Sequence, residues 1–509
     1  MVKRRTKQRA KQRAKGPIKQ PPWRRLRNPY RPMEILSPDE VEALHDASLD
    51  ILEQYGIEFR SDEALKILKN AGAFVDAGTD VVRFERGLVE ETIAHAPSQF
   101  TLWARNPERY VIIGGQHLCF DSVGGPPNGT DVEGGRRMGN FEDFQAFVRL
   151  AQSLNVLHLV GGAPVAPIDL DAQSRHLDCN YAYITLTDKA WFTTAVGAER
   201  VSDAVAMLQI VHELSACEIR EKPCTFSIIN VNSPRRFDGP MAEGLIELAR
   251  NGQVTCVTPF TLCGAMSPIT LAGALAQQNA EALAGIVLTQ LVNPGAPVIY
   301  GGFTSNVDMK TGSPAFGTPE YTKACLAGGQ MARRYALPYR SSNVNSSNAV
   351  DAQATYESSM SIWGSVLGYA NLLHHGAGWL EGGLTASFEK AIIDAEMLQM
   401  MAAFLEPIEV SEATLALEAI GGVQPGGHFF DSEHTLSRYE TAFYNPLISD
   451  WRNFESWEES GALSATERAG AAWKLLLENY DQPPLAVETD DALKAFIRQR
   501  KSEWKNNPR

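Results

Sequence analysis

Residues 254–303 read VTCVTPFTLCGAMSPITLAGALAQQNAEALAGIVLTQLVNPGAPVIYGGF. The segment opens on a β-branched, apolar run (254–262). It passes through a Gly/Pro-punctuated turn into a long alanine- and leucine-rich helical run. It then leaves through Asn-Pro-Gly into a second apolar run (297–303). Two continuous apolar strands joined by a helix make a βαβ unit, which requires parallel strands and a sheet covered on both faces.

The same alternation extends in both directions. Strand candidates fall at 157–164, 190–195, 224–230, 254–262, 297–303, 337–342, 369–376 and 408–410. Between them lie helical runs such as RVSDAVAMLQIVHELSA (200–216), PEYTKACLAGGQMARRYA (319–336) and SFEKAIIDAEMLQMMAAFLE (387–406). Eight strands separated by helices predict a (β/α)8 TIM barrel over 151–410. An open doubly wound sheet is the competing layout, but its Gly-rich fingerprint after the first strand is missing.

The flanks differ in character. Residues 32–150 read as an N-terminal α/β region whose first helix carries a capping box, with Ser37, Pro38 and Glu40 at its start and Gly56 as its stop. The Gly/Pro-rich stretch 122–137 reads as a loop, either a lid or a plain surface connector. Residues 411–509 form a tail of one short helix, an aromatic Gly-rich part expected to pack on the barrel, and two charged helices.

Residues 1–31 hold 13 Lys/Arg and no Asp/Glu, leaving 34 basic against 60 acidic side chains in the rest of the chain. This basic arm is expected to be disordered at its start and to serve as a solubilising or self-docking tail, or to meet an acidic partner. An acidic body argues against nucleic acid. No apolar run is long enough to span a membrane or serve as a secretory leader. Seven cysteines at wide spacing fit reduced, buried thiols in a cytoplasm, and no C-x-x-C or H-E-x-x-H suggests a metal site.

In a parallel barrel the reacting groups sit at the C-terminal strand ends. Those ends supply Phe192, Phe260, Tyr300, Phe303 and Trp379, together with Ser342, Asn343, Asn345, His374, His375 and Glu381. They are rich in aromatics, hydroxyls and amides and poor in Lys and Arg, Arg340 being the main exception. Aromatic faces attract a quaternary ammonium, whereas a phosphate would call for Lys, Arg or a glycine nest. Each aromatic also has a reading as plain core. One of His374 and His375 faces the site, or both make structural hydrogen bonds. Glu381 is a general base or cation partner, or a loop cap. Asp351 is first an N-cap.

Three long ordered stretches carry a family resemblance: GGFTSNVDMKTGSPAFGTPEYTKACLAGGQMARRYALPYRSSNVNSSNAVDAQATYES (301–358), HHGAGWLEGGLTASFEKAIIDAEMLQM (374–400) and GGHFFDSEHTLSRY (426–439). Together they resemble the trimethylamine methyltransferase family from about residue 35 to about residue 480. The resemblance implies a TIM-barrel enzyme that moves a methyl group from a methylated amine to the Co(I) of a corrinoid (cobalamin) held by a separate partner protein. No cofactor is then bound tightly by this chain, and family members tend to be homo-oligomers.

Archaeal relatives carry pyrrolysine in the segment equivalent to Asn345, Ser346, Ser347, Asn348, Ala349 and Val350, which are all standard residues here. The chain therefore looks like the branch lacking pyrrolysine, whose substrates are quaternary amines such as glycine betaine, proline betaine or carnitine. On this reading His375, Glu381 and Asn345 are the catalytic candidates. Phe192, Phe260, Tyr300, Phe303, Ser342, Asn343, His374 and Trp379 bind substrate. The chemistry agrees: a quaternary amine is already cationic and leaves neutral, so no activating adduct is needed. A non-catalytic binder of such cations, and an enzyme using trimethylamine or a sulfonium donor, remain open.

Overall fold

The computed structural model describes residues 18–506. Eight strands carry the fold: β1 (His117–Phe120), β2 (Leu159–Val160), β3 (Ala190–Phe192), β4 (Thr225–Val231), β5 (Val254–Cys263), β6 (Val298–Gly301), β7 (Tyr339–Ser342) and β8 (Leu372–His374). Their hydrogen-bonded order is β1-β8-β7-β6-β5-β4-β3-β2, with every neighbouring pair parallel. One more parallel bridge joins Asp121, just past β1, to Leu159 of β2, and His158 N–H donates to the Phe120 carbonyl at 2.7 Å.

The chain is thus of mixed α/β class, with helices crossing between successive strands. The opening stretch forms as its composition dictates. The Leu271–Val292 helix is buried around its whole circumference, between β5 and the Pro38–Asp50 helix.

Seven of the eight expected strands are present. The eighth is not at 408–410, where Ile408 and Val410 are 88% and 75% exposed and no strand forms. The helix that follows, Glu412–Leu415, is too short to cross back over a sheet. The missing strand comes from upstream, as β1. Its four residues follow a hairpin (Gln99–Leu102 with Val111–Gly114) and blend into that antiparallel region when read as sequence.

Strand alternation sorts the side chains. Cys119, Leu159, Ala190, Phe226, Val254, Cys256, Ile299 and Leu372 share one buried cluster, floored by Leu102, Val111 and Ile113 of the hairpin. Seven strands contribute an apolar residue to it. The eighth, β7, contributes none; its Arg340 pairs in register with Leu372 and Gly301.

The basic arm docks where it is described. Leu26–Arg27 pairs antiparallel with His117 and Leu118, and the Arg24 carbonyl accepts from His158 Nε2 at 2.9 Å. The expectation of disorder falls on residues outside the described ones. In the N-terminal region the capping box forms as read, with Ser37 Oγ accepting from Glu40 N and the Glu40 carboxylate from Ser37 N.

Residues 122–137 are not a plain loop. Asn128–Asp131 and Gly135–Met138 form a hairpin that extends a sheet built from Trp379–Leu380 and Thr385–Ser387. In the tail, helices Ala465–Glu478 and Val487–Asn506 pack on the body. The aromatic stretch before them does not: Phe430, Phe443 and Trp451 are 81%, 81% and 69% exposed. Its anchors are few, notably Tyr444 Oη to Glu396 at 2.7 Å and Arg468 Nε to the Ile448 carbonyl at 2.8 Å. All seven cysteines are free thiols, and only Cys217 is exposed.

Candidate active site

A cavity of about 710 Å³ opens at the C-terminal ends of the parallel strands, the end at which such sheets place their ligands. Phe192 comes from β3, Thr258 and Phe260 from β5, Arg340 from β7 and His374 from β8. His375, Phe303, Phe316 and Trp379 come from the segments just beyond the strands.

The rings form one nest. Phe260 and Phe303 have centroids 5.2 Å apart, Phe303 and Phe316 5.5 Å, and Phe303 and Trp379 6.2 Å at 65°. Phe316 meets Trp379 edge-on at 89°, and His375 lies 4.2 Å from Trp379. Edge-to-face packing of this kind fixes the rings and leaves π faces for a cation. Among the described residues, no lysine lines the cavity.

Two histidines border the nest. His374 Nδ1 pairs with the Asp121 carboxylate at the base of the site. Burial raises the Asp121 carboxyl and lowers the His374 ring, so the imidazole carries no net charge. His375 adopts a left-handed backbone (φ 55°), and its ring lies 3.9 Å from that of His374, tilted by 46°. Burial, then the neighbouring His374 and Arg340, hold its ring well below the usual histidine range. Both rings are therefore uncharged at neutral pH and do not repel a cation.

Phe192, Phe260, Phe303, Trp379, His374 and His375 thus converge on one cavity. The other expected residues do not line it. Tyr300 pairs in register with Tyr339, and both face the helices, Tyr300 Oη donating to Asn279 Oδ1 at 2.9 Å. Strand phase, ignored when whole strand ends are read together, decides this.

Ser342 lies on the same strand face as Arg340, but below the cavity surface, with its Oγ buried and unpartnered. Asn343 Nδ2 donates to the Gly376 carbonyl at 2.9 Å, and Asn345 Nδ2 to the Trp379 carbonyl at 2.7 Å. They clamp the loop that carries His375 and Trp379. Glu381 turns outward to Arg136 Nε at 2.9 Å. Asp351 caps the Ala352–Leu367 helix, as expected.

Sequence reading missed Asp121, because its strand went unrecognised, and Phe316, which sits in the loop after β6. It noted Arg340 only as a compositional exception. Alternation along LPYRSS would have marked Arg340 as inward.

A second buried pair supports the loop. Lys390 and Asp394 are in contact and both fully buried, Asp394 Oδ2 accepts from Gly378 N–H at 2.9 Å, and Lys390 Nζ donates to Ser358 Oγ at 2.8 Å. Among the described residues, no group of three or more His, Cys, Asp or Glu could hold a metal ion, and no helix is long and apolar enough to cross a membrane.

Comparison with known proteins places this arrangement. The chain is 38% identical over 470 residues to a glycine betaine methyltransferase of Desulfitobacterium hafniense (strain Y51), covering 92% of this chain and 97% of that protein. It is 31% identical over 470 residues to a trimethylamine methyltransferase of Desulfitobacterium hafniense (strain DSM 10664 / DCB-2), covering 92% and 94%. Among solved structures, the monomethylamine methyltransferase of Methanosarcina barkeri aligns at TM-score 0.48 and 11% identity, over 88% of this chain and 93% of that one. A family profile described as Trimethylamine methyltransferase (MTTB) matches residues 2–505. Matched along nearly its whole length, the chain belongs to the trimethylamine methyltransferase family and is a methyltransferase.

Proposed function

We propose that this chain transfers a methyl group from a quaternary amine of the betaine type (glycine betaine, proline betaine or carnitine) to the Co(I) of a corrinoid carried by a separate protein. The observation that carries this is the aromatic nest flanked by two uncharged histidines. It offers π faces to a permanent cation, and among the described residues no lysine ammonium lines it to protonate an uncharged amine. The 38% identity to a glycine betaine methyltransferase supports the same substrate class.

The chain's task is then positioning and desolvation. Phe192, Phe260, Phe303 and Trp379 hold the ammonium. Asn343 and Asn345 hold the loop that presents Trp379 and His375. The corrinoid supplies the acceptor for the methyl group. The mouth suits a flat macrocycle: Gly124, Gly125, Gly162 and Ala163 line it with little side-chain bulk, and Arg175 and Arg200 stand at its edge. A betaine fills only part of the cavity, which leaves the upper part for the acceptor.

The parallel bridge between Asp121 and Leu159 supports reading the eight strands as a (β/α)8 barrel running from His117 to Phe404, with an N-terminal α/β region, a docked basic arm and a C-terminal tail around it. The exposed aromatics of the tail offer a contact surface for a second copy of the chain.

The test is methyl transfer to free Co(I) cobalamin from a panel of betaines, read from the absorbance of methylcobalamin. Product is expected from at least one betaine. Transfer from trimethylamine alone overturns the reading.

A further inference from the structure

The cavity contains a buried cation that the aromatic nest does not explain. Arg340 is 1% exposed and lines the cavity floor. Its guanidinium lies 5.1 Å from the Phe303 ring centroid. Among the described residues, the guanidinium makes one hydrogen bond, from Nη1 to the Gly302 carbonyl at 3.3 Å, and its buried Nε has no partner. Among the described residues, no carboxylate lies within ion-pair distance of it. Asp121, close enough to be influenced by its charge, is taken by His374.

A guanidinium carries five donors in a planar fork suited to a carboxylate. Burying one with most donors idle is costly unless something pairs with it. The register sharpens the point: the in-register neighbours of Arg340 are Leu372 of β8 and Gly301 of β6, and neither offers a side chain that can pair with a charge.

The geometry points to Arg340 as the residue that binds the carboxylate of the methyl donor and so selects a zwitterionic betaine over cations lacking that group. This assignment rests on the quaternary-amine reading of the site. In glycine betaine one methylene separates carboxylate from ammonium. An acid group paired with Arg340 beneath the Phe303 ring therefore leaves the trimethylammonium head against Phe303 and Phe260, which touch each other. A cation without a carboxylate would instead meet the unpaired guanidinium and be repelled. An anionic group of the corrinoid could supply the same chemistry, so the binding measurements are made without any corrinoid.

The experiment titrates glycine betaine and choline into the full chain and into Arg340→Gln and Arg340→Lys by calorimetry. Wild type is expected to bind betaine at least tenfold more tightly than choline. In Arg340→Gln the betaine Kd should rise about 100-fold, as expected for losing charge-assisted hydrogen bonds, while choline stays within about threefold or tightens. Arg340→Lys, which keeps the charge and loses the fork, should fall between.

A role in packing alone would weaken both ligands together, and a constant betaine-to-choline ratio across the three proteins overturns the assignment. So does wild type binding the two equally. If wild type transfers methyl from betaine and Arg340→Gln keeps the ratio, this assignment alone fails. If wild type transfers from no betaine, the underlying reading fails with it.

Discussion

Phe260 is the sharpest probe of the aromatic nest. It is the only partly exposed residue in the otherwise buried β5, its ring lining the cavity and packing 5.2 Å from Phe303. Phe260→Leu keeps an apolar side chain of similar size and removes one π face. A cation over such a face is worth about 0.5–2 kcal/mol, or about 2–30-fold in affinity.

Packing loss must be separated from loss of cation binding. The ligand pair that does so is glycine betaine and 3,3-dimethylbutyrate, which has the same shape and carboxylate but carbon in place of the charged nitrogen. Calorimetry on wild type and variant should show betaine weakened about 2–30-fold and the carbon isostere, which lacks the cationic head, nearly unchanged. Kinetics add a second sign. The ammonium charge disappears as the amine leaves, so the nest stabilises the ground state more than the transition state. Phe260→Leu should then raise KM while kcat holds or rises. Equal weakening of both ligands, or a fall in kcat with KM constant, would refute the cation-cage argument.

Three further outcomes follow from other parts of the molecule. Asp394→Ala strands the buried Lys390 ammonium and the Gly378 N–H, so urea unfolding should register a loss of about 3–5 kcal/mol, whereas Lys390→Met/Asp394→Leu together should recover most of it; a single-variant loss under about 1 kcal/mol contradicts the pairing.

His158 accepts from Phe120 N–H at Nδ1 and donates from Nε2 to the Arg24 carbonyl, and burial holds its pKa down at about 4. Its contribution is present above the unfolded-state value and lost as pH falls toward 4, on the order of 3 kcal/mol. Stability measured from pH 7 to 4 should decline less steeply in His158→Asn than in wild type, and identical slopes would remove His158 as the cause. Finally, the self-association proposed for the exposed tail predicts that Phe430→Ser/Phe443→Ser sediments at a lower mass than wild type with the melting temperature unchanged; identical sedimentation excludes this surface.

The parts of the fold legible in sequence are those governed by local periodicity. Continuous apolar strands alternating with helices identified seven of the eight parallel strands. The capping residues Ser37 and Asp351 mark helix starts through the hydrogen bonds they accept. What escaped depends on long-range register. β1 is four residues long and is defined by pairing with β8, about 250 residues later in the chain; with it went Asp121. Tyr300 stands at a strand end, as the site residues do, but strand phase turns it to the helix side with its partner Tyr339. The exposed aromatic tail was expected to pack because its composition is apolar, but composition does not say which surface covers a segment.

The polar run after β7 looked like a site lining, and its hydrogen bonds give it a different role. Asn345 is fully buried. Its Nδ2 holds the Trp379 carbonyl, and its own carbonyl accepts from Trp379 Nε1 at 3.2 Å and Gly382 N–H at 3.1 Å. Ser346 Oγ accepts from Phe316 N–H at 2.7 Å. The run thus fixes two of the rings in the nest from behind.

Asn345→Leu removes the side-chain bond and leaves the Trp379 carbonyl unpaired, a cost of about 1–3 kcal/mol. The backbone bonds to the loop remain, so the α/β fold should stay intact. Trp379 should lose its fixed orientation, so betaine KM rises more than a few-fold, and Trp fluorescence should become more accessible to a neutral quencher such as acrylamide. Ser342→Leu tests a different failure, overpacking behind the cavity wall, and should disturb stability before kinetics. Wild-type KM and quenching in Asn345→Leu would mean that the tryptophan is held by packing alone, leaving the amide no part in shaping the site.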